Sequence, residues 1–317
     1  MLSLFKNQQP RTLIVLLIVL VITRLPILIS GEPLPAFREF QVTGLADTVV
    51  ILISMGIVFL QAIWLNTIFT NANFLDDRTL VPAMVWILVT MLDRGFVVLG
   101  QPMLLSILVL LLLQILMDVR FNHATPQQSF QAGVIVGIAS LIHPPLILFV
   151  PFLFAAIYNL NTQGVREYFI VVVGLLLPFF WGWSFFYLKD DSLFWLARMQ
   201  EHVGLPVYTI DLYTAIRLGI VVLYAIGGFV MLFPLMQSAS FKRKKNVRTL
   251  LIVLLGLAVS FGISSHWPLA NIYLLMPPLA MLISILLLRI HKIKLAEAVF
   301  GIFVLSIITS LVLSIVL

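Results

Sequence analysis

Apolar residues run along this chain in long unbroken blocks separated by short polar breaks. The alternation that a membrane barrel needs is missing, so the pattern predicts helices. About eleven hydrophobic segments can be drawn, over 12–30, 45–69, 79–92, 97–117, 129–143, 145–160, 167–187, 213–236, 249–265, 268–288 and 296–316. A helix that crosses a bilayer needs about 20 residues. The runs 79–92, 129–143 and 145–160 fall short of that. They are expected to be tilted, buried against neighbours, or half-helices whose free backbone groups need partners at depth. His143-Pro144-Pro145 separates the last two. The expected fold class is all-α, a polytopic transmembrane helical bundle, with residues 1–317 forming one integral membrane domain and no separate soluble domain.

Composition strengthens this reading. The chain is 62% hydrophobic and 10% charged, with a mean hydropathy of +1.13. Soluble domains are roughly a quarter charged, so the bilayer must act as solvent for most side chains here. The N-terminal MLSLFKNQQPRT followed by an apolar run mimics a signal peptide. That run is long, contains Arg24 and Pro26, and lacks a small-x-small cleavage site, so a retained first helix is expected.

Net charge is +6 and the isoelectric point about 9.7. The basic residues lie mainly between hydrophobic segments, which is how topology is encoded, and nucleic-acid binding is set aside on that ground. With the N-terminus inside and strict alternation, the inner loops hold Lys6, Arg11, Arg78, Arg120, Arg166, the run Lys242-Arg243-Lys244-Lys245 with Arg248, then Arg289, Lys292 and Lys294. The outer loops hold Arg38, Arg94, Lys189 and Arg198. Arg24 and Arg217 lie within segments. The bias predicts a multi-pass protein with its N-terminus in the cytoplasm and its C-terminus outside. The 242–248 run is first a topology determinant and second a candidate for anionic lipid.

The chain has no Cys, so thiolate zinc sites are excluded, and its five His residues form no i, i+3 or i, i+4 pair. No metal and no cofactor are expected. Ionisable residues at membrane depth carry the functional information that remains. Under this topology they gather at the outer rim: Arg24, then Glu32, Arg38, Glu39 and Asp47, then Asp93 and Arg94, His143, Arg198 with Glu201 and His202, Arg217 and His266. Each also has a structural reading. Arg24 lies within about 9 Å of its helix end at 1.5 Å per residue and can snorkel to the headgroups. Arg94 can satisfy free carbonyls at a helix C-terminus, Asp93 can pair with Arg94 or Arg24, and His143 can be a helix-end residue. Arginine forks bind phosphate and a carboxylate can serve as a general base, so the rim suits a lipid-linked phosphate substrate.

The order of these features resembles the GT-C type of membrane glycosyltransferases, which use polyprenyl-phosphate-linked sugars. TRLPILISGEPLPAFREF (23–40) is similar to that family's Arg-bearing first helix and acidic outer loop. LVPAMVWILVTMLDRGFVVLGQPMLLSILVLLLLQILMDVR (80–120) is similar to its short helix, polar break and long helix. FQAGVIVGIASLIHPPLILFVPFLFAAI (130–157) is similar to its proline hairpin, with His143 where a Lys is often found. NIYLLMPPLAMLISILL (271–287) is similar to its late helix, with Asn271 or Ile272 in place of an Arg. Together the four stretches cover about a third of the chain. The chain also resembles a bacterial family of uncharacterised integral membrane proteins.

The GT-C resemblance implies a transferase at the extracytoplasmic face, with a degraded acidic motif in which the separated Glu32 and Glu39 replace an adjacent Asp-Glu pair. It implies Glu39 or Glu32 as catalytic base, and Arg24, Asp93, Arg94, His143 and Arg198 as substrate-binding residues. The partner it implies is a membrane lipid, polyprenyl phosphate. The alternative is a non-catalytic subunit or scaffold with protein partners in a membrane complex. A transporter is the third reading, opposed by charges at one rim rather than the midplane.

Overall fold

A computed structural model describes residues 5, 10–30, 47–75, 79–91, 100–118, 125–160, 165–189, 204, 212–263, 268–290 and 292–316. Among them the regular structure is entirely helical. The α-helices are α1 (Pro10–Ser30), α2 (Asp47–Asn71), α3 (Val81–Val89), α4 (Gln101–Met117), α5 (Pro126–Ile142), α6 (Val150–Asn159), α7 (Val165–Tyr187), α8 (Leu212–Ser238), α9 (Phe241–Gly262), α10 (Pro268–Arg289) and α11 (Ile293–Val316). Five described stretches are long and apolar enough to cross a membrane: Val49–Asn71, Val165–Tyr187, Leu218–Gln237, Phe241–Gly262 and Ile272–Arg289. Large apolar side chains such as Leu52, Leu60, Phe180, Trp181, Leu223 and Phe233 face outward, as a lipid solvent requires.

Local sequence explains where the helices start and stop. Thr125 and Gln128 close a capping box at the head of α5, with backbone-to-side-chain bonds of 3.0 and 3.3 Å, and Pro126 sits in its first turn. The helix ends at His143, whose extended backbone (φ −133°, ψ 94°) is what a following proline imposes. The expected helix over 145–160 therefore begins as a 3₁₀ turn, Pro144–Phe149, and becomes α-helical only at Val150. A second difference lies at α9. The basic run expected in a loop before residue 249 is helical from Phe241, because the Ser240 side chain accepts from the Arg243 N–H and starts the helix early.

The chain divides into two compact units. One comprises Met1–Met103, Thr209–Ser238 and Met276–Leu317; the other comprises Leu104–Tyr208 and Ala239–Leu275.

In the second unit α5 lies against α7 through small residues. A Cβ added to Gly133 would strike the Val171 carbonyl, one on Gly137 would lie 2.7 Å from the Leu175 carbonyl oxygen, and one on Gly174 would strike the Phe130 carbonyl. Gly133 and Gly137 are four residues apart on one helix face, the spacing that lets membrane helices approach backbone to backbone. Residue numbers rise together across this contact, so α5 and α7 run in the same direction. α9 packs on α6 and the 3₁₀ turn, where Gly256 leaves room for the Phe149 ring.

In the first unit α3 is the core. All nine of its residues are buried, and α1 and α2 pack around it. Elsewhere in this unit Gly228 lets α8 sit against the Leu282 carbonyl of α10, while Tyr224 of α8 donates to the Val299 carbonyl of α11 at 2.9 Å.

Candidate functional site at the Arg24–Thr90 junction

At nine residues, α3 is only about 14 Å long, less than half the hydrocarbon thickness. Both of its ends therefore need partners other than water. At its head, the Leu80 N–H donates to the Phe5 carbonyl at 2.7 Å. At its tail, Thr90 closes the last turn. The Thr90 N–H donates to Trp86 O at 2.9 Å and its hydroxyl to Ile87 O at 2.7 Å.

Onto this tail α1 delivers Arg24. Its guanidinium Nη2 lies 3.3 Å from Thr90 Oγ1 and 3.5 Å from Thr90 O. Arg24 is only 1% exposed, among the largest fully buried side chains of the described residues. A cation at a helix C-terminus is favoured by the helix dipole and by unsatisfied carbonyls. Arg24 thus does not snorkel; it points into the protein. The neighbouring Thr23 spends its hydroxyl on Leu20 O at 2.7 Å.

His143, also 1% exposed, belongs to the other unit. It closes α5, with its N–H donating to Ala139 O at 2.8 Å and its carbonyl accepting from Leu146 at 3.0 Å. Glu32, Glu39, Asp93, Arg94 and Arg198 lie outside the described residues, as do Arg38, Glu201, His202 and His266. The side chains of Asp47, Arg217 and Asn271 are not described either. Ile272 is buried near the start of α10.

A second buried cation escaped the sequence reading. Lys245, 5% exposed, donates from Nζ to the Leu160 carbonyl at 3.0 Å, closing the C-terminus of the ten-residue α6. Asn159 answers by donating to Lys245 O and to Thr249 Oγ1, both at 3.0 Å. The signal was present. Lys245, Thr249, Val253, Gly256 and Ser260 recur every three or four residues and form the buried face of α9. Among the described residues, no group of His, Cys, Asp and Glu side chains is arranged to hold a metal ion.

These features define a multi-pass helical membrane protein in which buried cations close short helices. The chain belongs to the family of unknown function DUF6427, whose profile matches residues 11–316. No curated protein and no solved structure matches it significantly.

Proposed function

We propose that this protein handles a lipid-linked sugar phosphate at the extracytoplasmic rim of a bacterial inner membrane, as a GT-C-like transferase with its N-terminus in the cytoplasm. The observation that carries the reading is Arg24, an ionisable side chain buried within a helical membrane protein beside the end of a short helix; ionisable residues inside such bundles are functional candidates by default. In the reaction, the acceptor hydroxyl oxygen attacks the anomeric carbon of the sugar. Glu39 or Glu32 takes its proton, and the bond from that carbon to the phosphate oxygen breaks. The polyprenyl phosphate departs as an anion, met by Arg24, Arg94 and Arg198. Transfer by the Glu32→Gln, Glu39→Gln double variant tests the proposal: loss is expected, and undiminished transfer removes the base.

A second reading, a non-catalytic subunit of a membrane complex, is favoured by Lys245. That residue buries a cation by donating to the last carbonyl of a short helix, so burial of Arg24 has an architectural explanation as well. Purification in mild detergent followed by mass spectrometry separates the two. A stoichiometric protein partner without polyprenyl lipid supports the subunit.

A further inference from the structure

The strongest unassigned feature lies within the first unit, where α8, α10 and α11 meet. A hollow of about 320 Å³ opens there, lined by Met231 and Pro234 of α8, Arg289 and Ile290 at the end of α10, and Lys292 and Leu295 at the start of α11. Among the described residues, four of its six lining side chains are apolar and the two charged ones are both cations.

The depth of the hollow follows from the helices. Arg289 is the last residue of a stretch long enough to cross the membrane, and Met231 and Pro234 lie within the final turns of another such stretch, Leu218–Gln237. The hollow therefore starts at headgroup level and continues along apolar side chains toward the hydrocarbon. Arg289 is half-buried and Lys292 exposed.

The ordinary duty of a cation at a helix end is to bond the last carbonyls of its own helix. Arg24 and Lys245 do this for neighbouring helices, but among the described residues neither Arg289 nor Lys292 has a carbonyl or carboxylate partner. Glu297, one turn into α11, does not line the hollow. Two cations thus face a cavity whose remaining walls suit hydrocarbon.

We propose that this hollow binds the headgroup of an anionic phospholipid. The Arg289 fork takes two phosphate oxygens and Lys292 adds a second, point-like charge. The glycerol and the first acyl carbons lie along Met231, Pro234 and Leu295. Basic pockets between membrane helices select acidic headgroups in this way, by charge complementarity at the phosphate and apolar contact below it. The site is separate from the Arg24 junction and does not depend on the transferase reading. A free phosphate would satisfy the cations equally well but would leave the apolar walls unused, which is why the lipid is the occupant proposed.

Native mass spectrometry of the full chain, released from micelles carrying either phosphatidylglycerol or phosphatidylcholine of the same acyl length, tests this. One phosphatidylglycerol should stay bound while phosphatidylcholine is lost. Retention should fall about tenfold or more in the Arg289→Gln, Lys292→Gln double variant. It should persist in Arg11→Gln, Arg166→Gln, which removes the same charge from exposed positions at the starts of α1 and α7. Equal retention of the two lipids by the wild-type chain overturns the proposal, a result that needs no variant to fold. Equal loss from both double variants overturns it too, because charge alone would then explain binding. Displacement of the lipid by inorganic phosphate would make this a phosphate site and likewise overturn it.

Discussion

The Lys245 ammonium donates to the Leu160 carbonyl at 3.0 Å, and the residue before Leu160 returns the contact, Asn159 donating to the Lys245 carbonyl at 3.0 Å. Arg24 stands in a similar relation to Thr90 at the end of α3. In each unit a helix of nine or ten residues ends where water is scarce, and a cation from a longer helix satisfies its last turn. An unpaired carbonyl at such a place costs far more than a bond there gains.

The Lys245 clasp should therefore be costly to cut from one side. Lys245→Met keeps the length of the side chain but strands the Leu160 carbonyl. It should destabilise the protein in detergent by about 1–3 kcal/mol, read as a fall in melting temperature. Asn159→Ala should cost a similar amount, and the double variant less than the sum, because both residues serve one cluster. An additive pair would show that the two contacts are independent.

The glycines of α5 and α7 make a sharper contrast. Gly133→Ala and Gly174→Ala each press a Cβ onto a facing carbonyl and should each cost about 1–3 kcal/mol through forced separation of the helices. Gly56→Ala, in α2, meets nothing within 4 Å and should be neutral or stabilising by up to about 1 kcal/mol. Thermal unfolding of the three variants side by side checks the order.

Tyr224→Phe removes the 2.9 Å bond to the Val299 carbonyl while keeping the ring beside Phe303, 4.7 Å between centroids. Hydrogen bonds between membrane helices average about 0.6 kcal/mol, so the loss should be small and confined to stability. A melting shift as large as that of Lys245→Met would contradict this ranking.

Much of the helical layout was legible in the hydrophobic pattern. The segments drawn over 167–187 and 213–236 lie within α7 and α8, and the proline pair after His143 marks a true break. Two things were hidden. The charged start of α9 reads as a loop by hydropathy alone, because Lys242 to Lys245 outweigh the Ser240 cap and the helical phase of Lys245 with Thr249. The 3₁₀ stretch after Pro144 was hidden as well, since periodicity does not separate it from the α-helix that follows. At the candidate site, the sequence singled out Arg24 but not its partner. Thr90 is a neutral residue in an apolar run, and only the folded chain brings it to a residue 66 positions away.

The most direct test of the functional account is the polyprenyl phosphate content of protein purified in mild detergent, measured by mass spectrometry for the wild-type chain and for Arg24→Lys and Lys245→Met. Lysine at position 24 keeps the charge but loses the bidentate fork. The account predicts bound polyprenyl phosphate on the wild-type protein, a loss of about tenfold in Arg24→Lys, and retention in Lys245→Met despite its lower stability. Wild-type protein without polyprenyl phosphate, or equal content in all three, would contradict it and leave Arg24 as the cap of α3 alone.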